Sequence, residues 1–168
     1  HWGLIDLLPP ESPVYSGELC WNLIRTSRLF RKIETPEKKI NFFRAWHAFR
    51  IGELTVTPFL MDHSSPDAYA FLIEGEGARV FYSGDFRAHG RKAKLFHRLV
   101  NNPPPDIDLL LLEGTTIGRE EQLYPSEEAV QAEFVNLLRD NPGPAFLVAS
   151  GQNLDRLVTA YKAARRAG

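Results

Sequence analysis

The spacing of hydrophobic positions divides the chain into helices and strands. In four segments apolar residues recur every three to four positions, which is the period of an amphipathic helix. The predicted helices cover residues 16–30, 91–100, 126–140 and 153–167. Between them lie shorter runs rich in the β-branched and aromatic residues that favour strands. The predicted strands cover residues 40–49, 54–60, 68–73, 79–82, 107–112 and 145–149.

A β-hairpin is the strongest local prediction. The strand-like runs 68–73 and 79–82 are separated only by a short glycine-containing break, EGEG. Strands joined by so short a break pair in antiparallel fashion. The residues just before the first strand and just after the second, His63 and Asp85, then emerge at the same end of the sheet. The sequence therefore predicts that an imidazole and a carboxylate share one rim.

The second half of the chain alternates strands with helices. The unbroken apolar run at 107–112 predicts a buried strand, and a helix, the strand 145–149 and a last helix follow it. This order predicts a parallel α/β unit with right-handed crossovers. Glu113 should end the first strand beside 145–149, with both helices packed on that sheet. The predicted fold class is α/β.

Length, net charge and cysteine content limit the class of protein, but they do not indicate a binding partner. The 168 residues are enough for one core-bearing domain and at most part of a second. Lys and Arg total 20 against 21 Asp and Glu, so any basic surface must be local. Cys20 is the only cysteine and sits at helical spacing among apolar residues, which predicts a core position. It excludes an internal disulfide and a multi-cysteine zinc site, and it fits a reducing compartment.

The sequence shows neither a membrane-spanning segment nor a signal peptide. The longest apolar runs are strand-sized, well short of the roughly 20 residues that cross a bilayer. The first residues lack the basic start and apolar stretch of a signal peptide. We therefore expect no membrane partner and a cytoplasmic location.

His63 and Asp85 are the strongest candidates for chemistry. Imidazole and carboxylate together suit zinc, and a carboxylate at a strand end can bridge two cations. Each residue alone has a simpler interpretation. His63 could cap a strand, and Asp85 could form an Asx turn after Gly84. Their joint placement around one hairpin favours the metal interpretation.

Three segments resemble metal-binding motifs of one family. Residues 62–68 (DHSSPDA) and 83–86 (SGDF) resemble the third and fourth motifs of the metallo-β-lactamase superfamily, and residues 1–4 (HWGL) resemble the tail of its second motif. The chain is similar to the β-CASP nuclease branch, which includes ribonuclease J and the mRNA 3′-end processing endonuclease. The resemblance implies that His1 and His63 each bind a metal ion. It also implies that Asp85 bridges two zinc ions and is catalytic.

The second half resembles the β-CASP part of that family. Residues 110–116 (LLLEGTT) are similar to the first β-CASP motif, and 149–156 (ASGQNLDR) to a β-CASP strand-to-helix turn. In the family the motif acid orients a histidine that protonates the leaving group, which implies a catalytic role for Glu113. Alone, Glu113 would more often be an exposed strand-end carboxylate or a helix-start charge. The implied domains are a partial αββα metallo-β-lactamase fold over 1–115 and a partial β-CASP-like α/β domain over 116–168.

A basic stretch follows Asp85. Residues 86–100 contain no acidic residue, and the candidates for binding a phosphate-bearing substrate are Arg87, His89, Arg91 and Lys92. A solvated basic helix face is the commoner meaning of such a run. His89 could equally cap a turn.

The resemblance implies a function and leaves two alternatives open. It implies a hydrolase that uses two zinc ions to cleave phosphodiester bonds, with single-stranded RNA as partner rather than DNA, and with homo-oligomers left open. The first alternative is a hydrolase of a small-molecule ester, thioester or lactone. The second is a non-catalytic scaffold that binds nucleic acid or a partner protein. Because several family motifs are missing, we expect this chain to be an internal portion of a longer enzyme.

Overall fold

The computed structural model describes residues 3–35, 38–120, 123–141 and 143–168. After a 3-10 helix at Ile5–Leu7, the elements are, in chain order, β1 Val14–Ser16, α1 Glu18–Phe30, β2 Ile40–Phe42, β3 Phe49–Ile51, β4 Leu54–Leu60, β5 Tyr69–Gly75, β6 Ala78–Tyr82, α2 Ala93–Asn101, β7 Leu109–Leu111, α3 Glu127–Asp140 and α4 Leu154–Ala167. The predicted helices are all present, shortened or shifted by one or two residues. The predicted α/β class is confirmed.

The main sheet in the described residues has the strand order β3-β4-β5-β6-β7. The β3 to β6 neighbours are antiparallel, and β7 is added to β6 in parallel. The predicted hairpin is confirmed as β5 and β6, joined through Glu76 and Gly77. Both turn residues have positive φ, 51° and 78°, as a two-residue hairpin turn that follows the strand twist requires.

The core of the main sheet lies against α2. Met61, Ala70, Leu72 and Phe81 form a buried cluster. Phe96 and Leu99 of α2 pack against it, because the helix turns its apolar stripe toward the sheet. Helix α2 follows directly after the loop that carries Asp85, so its packing fixes that loop from the C-terminal side.

A smaller unit precedes the main sheet. Strands β1 and β2 pair in parallel, and α1 connects them. Its buried cluster is Ile5, Trp21 and Ile24, with the half-buried Cys20 packed against it. Burial raises the pKa of the Cys20 thiol above its usual value, so the side chain stays a neutral, small apolar group.

Four predictions for the second half are wrong: the strand 145–149, its pairing with the strand before Glu113, the burial of residues 107–112 and the packing of both helices on that sheet. Residues 144–150, all in the described part of the chain, form neither strand nor helix, and Phe146 and Val148 are 92% and 99% exposed. The partner of β7 is β6 rather than this segment. The strand predicted as buried at 107–112 is an edge strand with exposed leucines. An apolar run indicates that a segment tends to form a strand and to be buried. Whether it does so depends on a neighbouring strand or helix that the run itself does not specify.

Helices α3 and α4 pack on each other rather than across the sheet. They reach the main sheet through its loops: the Glu127 amide donates to the His89 carbonyl at 3.1 Å and the Asp155 amide to the Ser64 carbonyl at 3.2 Å. The start of each helix therefore contacts the loops that follow β4 and β6. Among the described residues, the helices are too short or too polar to cross a bilayer.

Candidate active site

The ends of three strands meet along one edge of the main sheet, which we call the rim. The register aligns Leu60 of β4 with Tyr69 of β5, and Tyr82 of β6 with Leu111 of β7. The loops that leave these ends carry His63, Asp85 and Glu113. Antiparallel and parallel pairing together thus bring three chemically useful side chains, distant in sequence, to a common edge.

The charges on these side chains act on one another. His63 is half-buried, and burial lowers the pKa of its imidazole. The Asp85 carboxylate opposes that shift most strongly, Arg87 adds to it, and Glu113 opposes it more weakly. Both carboxylates are therefore close enough to the imidazole to influence its protonation. The lowered pKa favours the neutral imidazole, which is the form that binds metal ions.

Glu113 is bonded to the loop that carries Asp85. Its Oε1 accepts a hydrogen bond of 2.6 Å from the backbone amide of Phe86, the residue after Asp85. Its own amide donates to Ser83 Oγ at 3.1 Å, and the Ser83 amide donates to the Leu111 carbonyl at 2.9 Å. Glu113 thus ties the end of β7 to both sides of Asp85. The simpler interpretation as an exposed strand-end carboxylate does not describe this position.

Gly84 is needed for the turn that presents Asp85. Its φ of 57° lies in the left-handed region, which glycine adopts without steric cost. A Cβ at this position would lie 2.6 Å from the carbonyl oxygen of Tyr69. The backbone therefore passes β5 so closely that only glycine fits between Ser83 and Asp85.

Asp62 is a site-building residue whose role the sequence left unassigned. Its carboxylate is fully buried and accepts hydrogen bonds from the backbone amides of Gly90 at 2.7 Å and Lys92 at 3.0 Å. Its carbonyl accepts from the Arg87 amide at 2.8 Å. Asp62 thus shapes the loop after Asp85 from the neighbouring strand end. The sequence signal for this role is the position of Asp62 just after the apolar residues that end β4, where an acidic residue is unexpected unless its carboxylate has hydrogen-bond partners.

The cations predicted to bind substrate are engaged within the protein. Arg87 is ion-paired with Asp155 and with Glu127, the latter at 3.6 Å. Arg91 donates to Gln131 at 3.0 Å and to Thr159 at 2.7 Å. Lys92 Nζ donates to the carbonyls of His63 and Ser65. His89 lies beside Tyr124, with ring centroids 5.5 Å apart. Phosphate contact by these four residues stays a prediction.

A buried polar cluster joins α3 and α4 to the rim, and we call it the rim cluster. Its members are Arg87, Arg91, Glu127, Gln131, Asp155, Arg156 and Thr159. Glu127 is only 1% exposed and accepts hydrogen bonds from Arg156 at 3.2 Å and Thr159 at 2.6 Å. Burial acts to raise the pKa of Glu127, but these two hydrogen bonds, together with the positive charges of Arg156 and Arg87, lower it overall. Glu127 is therefore held as a carboxylate.

The fit of the site to metal can be tested on the donors present. An imidazole and a carboxylate that share one rim suit zinc. His1, the third predicted ligand, lies outside the described residues. Within residues 3–35, 38–120, 123–141 and 143–168, histidine, cysteine, aspartate and glutamate form no group of three or more that could hold an ion. His63 and Asp85 thus fit as part of a ligand set, which needs further donors.

Comparisons with known proteins place the chain among relatives longer than itself. The sequence profile of the family described as Beta-lactamase superfamily domain matches residues 1–143. A ribonuclease J of Sinorhizobium meliloti (strain Sm2011 / Rm2011 / 2011) is 23% identical over 177 residues, which cover 100% of this chain and 30% of that protein. The chain superimposes on the crystal structure of a protein of unknown function from Enterococcus faecalis V583 with a TM-score of 0.78 and 22% identity. That match covers 94% of this chain and 41% of the other.

Proposed function

We propose that this chain forms part of a metal-dependent nuclease. The premise is that the chain belongs to the metallo-β-lactamase superfamily, through the family described as Beta-lactamase superfamily domain. The reaction would be hydrolysis of phosphodiester bonds, with RNA as the preferred substrate. The superfamily supports a hydrolase, and the similarity to a ribonuclease J along the whole of this chain supports RNA. The chain corresponds to 30% of that relative's length, so the proposal concerns the protein to which these residues contribute.

One observation carries the proposal: the strand register brings His63, Asp85 and Glu113 to one edge of the sheet, where both carboxylates lie close enough to the half-buried imidazole to influence its pKa. A purely structural histidine needs no pair of carboxylates around it. A zinc site commonly combines neutral imidazoles with carboxylates, because the imidazole donates an electron pair and the carboxylate offsets the charge of the cation. His63 and Asp85 would be ligands, together with His1 and donors from the remainder of the protein.

The other residues of the rim would maintain this geometry. Zinc, when bound, lowers the pKa of water and stabilises negative charge on phosphate oxygens. Glu113 would hold the Asp85 loop through the Phe86 amide, and Asp62 would hold the following loop through the Gly90 and Lys92 amides. Fixed donors and acceptors of this kind keep a ligand set ordered before the substrate arrives.

The test is Asp85→Asn in the full-length protein. The amide keeps the shape of the side chain but loses the negative charge that balances the cations. We expect zinc content to fall and cleavage of a labelled single-stranded RNA to drop about a hundredfold or more, since loss of residues that only support metal ligands already costs about 10- to 100-fold. Asp106→Asn, an identical change at an exposed loop position, is the matched control and should retain both properties.

Three other results would redirect the assignment. Full cleavage by Asp85→Asn at normal zinc content would leave Asp85 as a turn residue only. Zinc binding with hydrolysis of a thioester or lactone, and not of RNA, would favour the small-molecule hydrolase. RNA binding by a full-length protein that holds no zinc would favour the scaffold.

A further inference from the structure

A cleft of about 140 Å³ lies beside the rim, between the end of β4 and α2. It is lined by Trp46, Phe59, Leu60, Met61, Leu95, Arg98, Leu99 and Asn102. Leu60 and Met61 immediately precede Asp62 and His63, so the cleft adjoins the candidate active site. Its walls are mostly apolar, with a guanidinium and an amide among them. Drug-sized ligands occupy about 300–1,000 Å³, so this cleft admits one ring system and not a whole nucleotide.

Trp46 is held in an unusual conformation at this cleft. Its φ is 61°, in the left-handed region that a bulky residue rarely adopts. Its amide donates to the Pro58 carbonyl at 2.7 Å, which fixes the loop between β2 and β3 against β4. The side chain is nevertheless 41% exposed. A large aromatic group that is positioned by the backbone but left open to solvent is suited to receive another ring.

Arg98 completes the ring-binding surface. Its guanidinium carbon lies 5.1 Å from the centroid of the Trp46 ring, within the range of a cation–π contact. In the described part of the chain, this guanidinium forms no ion pair with a carboxylate. The planar group therefore keeps its charge available to a ligand while it lies by the aromatic ring. This distinguishes it from Arg87 and Arg91, whose side chains are engaged in the rim cluster.

We infer that the cleft of Trp46 and Arg98 binds a nucleobase of a single-stranded nucleic acid. This inference rests on the proposed function, since it names a subsite for that substrate. An aromatic face supplemented by arginine stacks bases of any sequence, because every base presents a π-face. A base seated here would contact the segment that leads from β4 into His63. The exposed Lys94, one turn before Arg98 on α2, is positioned to meet a neighbouring phosphate.

A simpler role for the same contact is to fasten α2 to the β2–β3 loop. The two roles predict different changes in affinity for a ligand without bases. A helix-fastening contact affects all ligands alike through stability, whereas a stacking site distinguishes a strand with bases from one without. The experiment therefore compares a short labelled oligoadenylate with an abasic oligomer of the same length and charge. EDTA is present, so that affinity is measured without cleavage.

We expect Trp46→Ala to weaken oligoadenylate binding about tenfold or more, from the usual contribution of one stacked base. Trp46→Phe, which keeps an aromatic face, should lose less. Affinity for the abasic oligomer should barely change in either variant. Arg98→Ala should also weaken oligoadenylate more than the abasic oligomer, and it provides the test if Trp46→Ala fails to fold. Arg50→Ala removes an exposed arginine of β3, away from the cleft lining, and is the charge-matched control.

Equal losses for the two oligomers, or unchanged oligoadenylate affinity in Trp46→Ala and Arg98→Ala, would overturn the inference. The outcome is separable from that of the proposed function. A protein that binds oligoadenylate through Trp46 but cleaves no RNA when loaded with zinc would retain the base site and lose the nuclease assignment. If the protein cleaves RNA and Trp46→Ala binds oligoadenylate with unchanged affinity, the nuclease assignment stands and the base site is lost.

Discussion

Arg87 should be the residue whose removal most directly loosens α3 and α4 from the rim. Its guanidinium lies between two carboxylates, those of Glu127 in α3 and Asp155 in α4. Its backbone amide donates to the carbonyl of Asp62. One side chain therefore joins both helices to the loop that follows Asp85. Arg87→Ala removes the cation and leaves the two acids in place.

The expected cost follows from burial and from the partners that remain. The side chain of Arg87 is 14% exposed, and those of Glu127 and Asp155 are 2% and 12% exposed. Removing one partner of a buried ion pair costs about 3–5 kcal/mol, because the other charge stays buried and uncompensated. Glu127 keeps the guanidinium of Arg156, whereas the Asp155 carboxylate keeps the Arg91 amide at 3.3 Å. We therefore expect the lower end, about 3 kcal/mol of the free energy of unfolding.

Urea unfolding of the wild type and Arg87→Ala measures the global cost, and amide hydrogen exchange locates it. Protection should fall first in the opening turns of α3 and α4, with β4 and β5 least affected. Arg50→Ala is the control, since its pair with Glu53 is 4.0 Å apart and largely exposed and should contribute less than about 1 kcal/mol. If Arg87→Ala costs no more than this control, the rim cluster does not hold the helices and the reasoning fails.

Two further predictions concern the same loops. Gly90→Ala should destabilise the protein by about 1–3 kcal/mol in urea unfolding, because the new Cβ would collide with Asp62 Oδ1, whereas Gly151→Ala has open space and should not. Acid should weaken the cluster through Glu127: burial raises its pKa, but hydrogen bonds led by that from Arg156 lower it overall. Its contribution should be complete above the unfolded pKa of about 4.3 and be lost as pH falls through the lower folded value. The stability difference between wild type and Glu127→Gln should therefore shrink on acidification, and a difference that is constant with pH would contradict this.

Local signals were sufficient for the hairpin and for all the helices. The EGEG break supplies a turn whose residues adopt positive φ, and the alternating strands on each side carry their own pattern. Ser126 and Asn153 cap α3 and α4 with side-chain hydrogen bonds from the third residue beyond each. Such features depend on residues a few positions apart, and a single sequence contains that information.

Features that depend on a distant partner were the ones that could not be predicted. Residues 145–149 have strand composition, but a strand forms only where another backbone accepts its hydrogen bonds. The basic run after Asp85 predicts phosphate contacts, which stay a prediction, but its partners within the protein are invisible at short range. Arg87 and Asp155 are 68 positions apart, and Arg91 and Gln131 are 40 apart. The placement of His63 and Asp85 at one rim followed from the hairpin, whereas their roles as ligands stay a prediction.

The rim cluster also bears on how the chain divides. The boundary predicted between 115 and 116 stays a prediction, yet Arg87 and Asp62 lie on one side of it and Glu127 and Asp155 on the other. Buried charges are stable only with their partners, so a cut at this boundary would expose or orphan them on both sides. The first part would lose the ion pairs of Arg87, which lies two positions after Asp85. The two parts therefore cannot be energetically independent, and changes in the second part that reach α3 or α4 should be felt at the candidate active site.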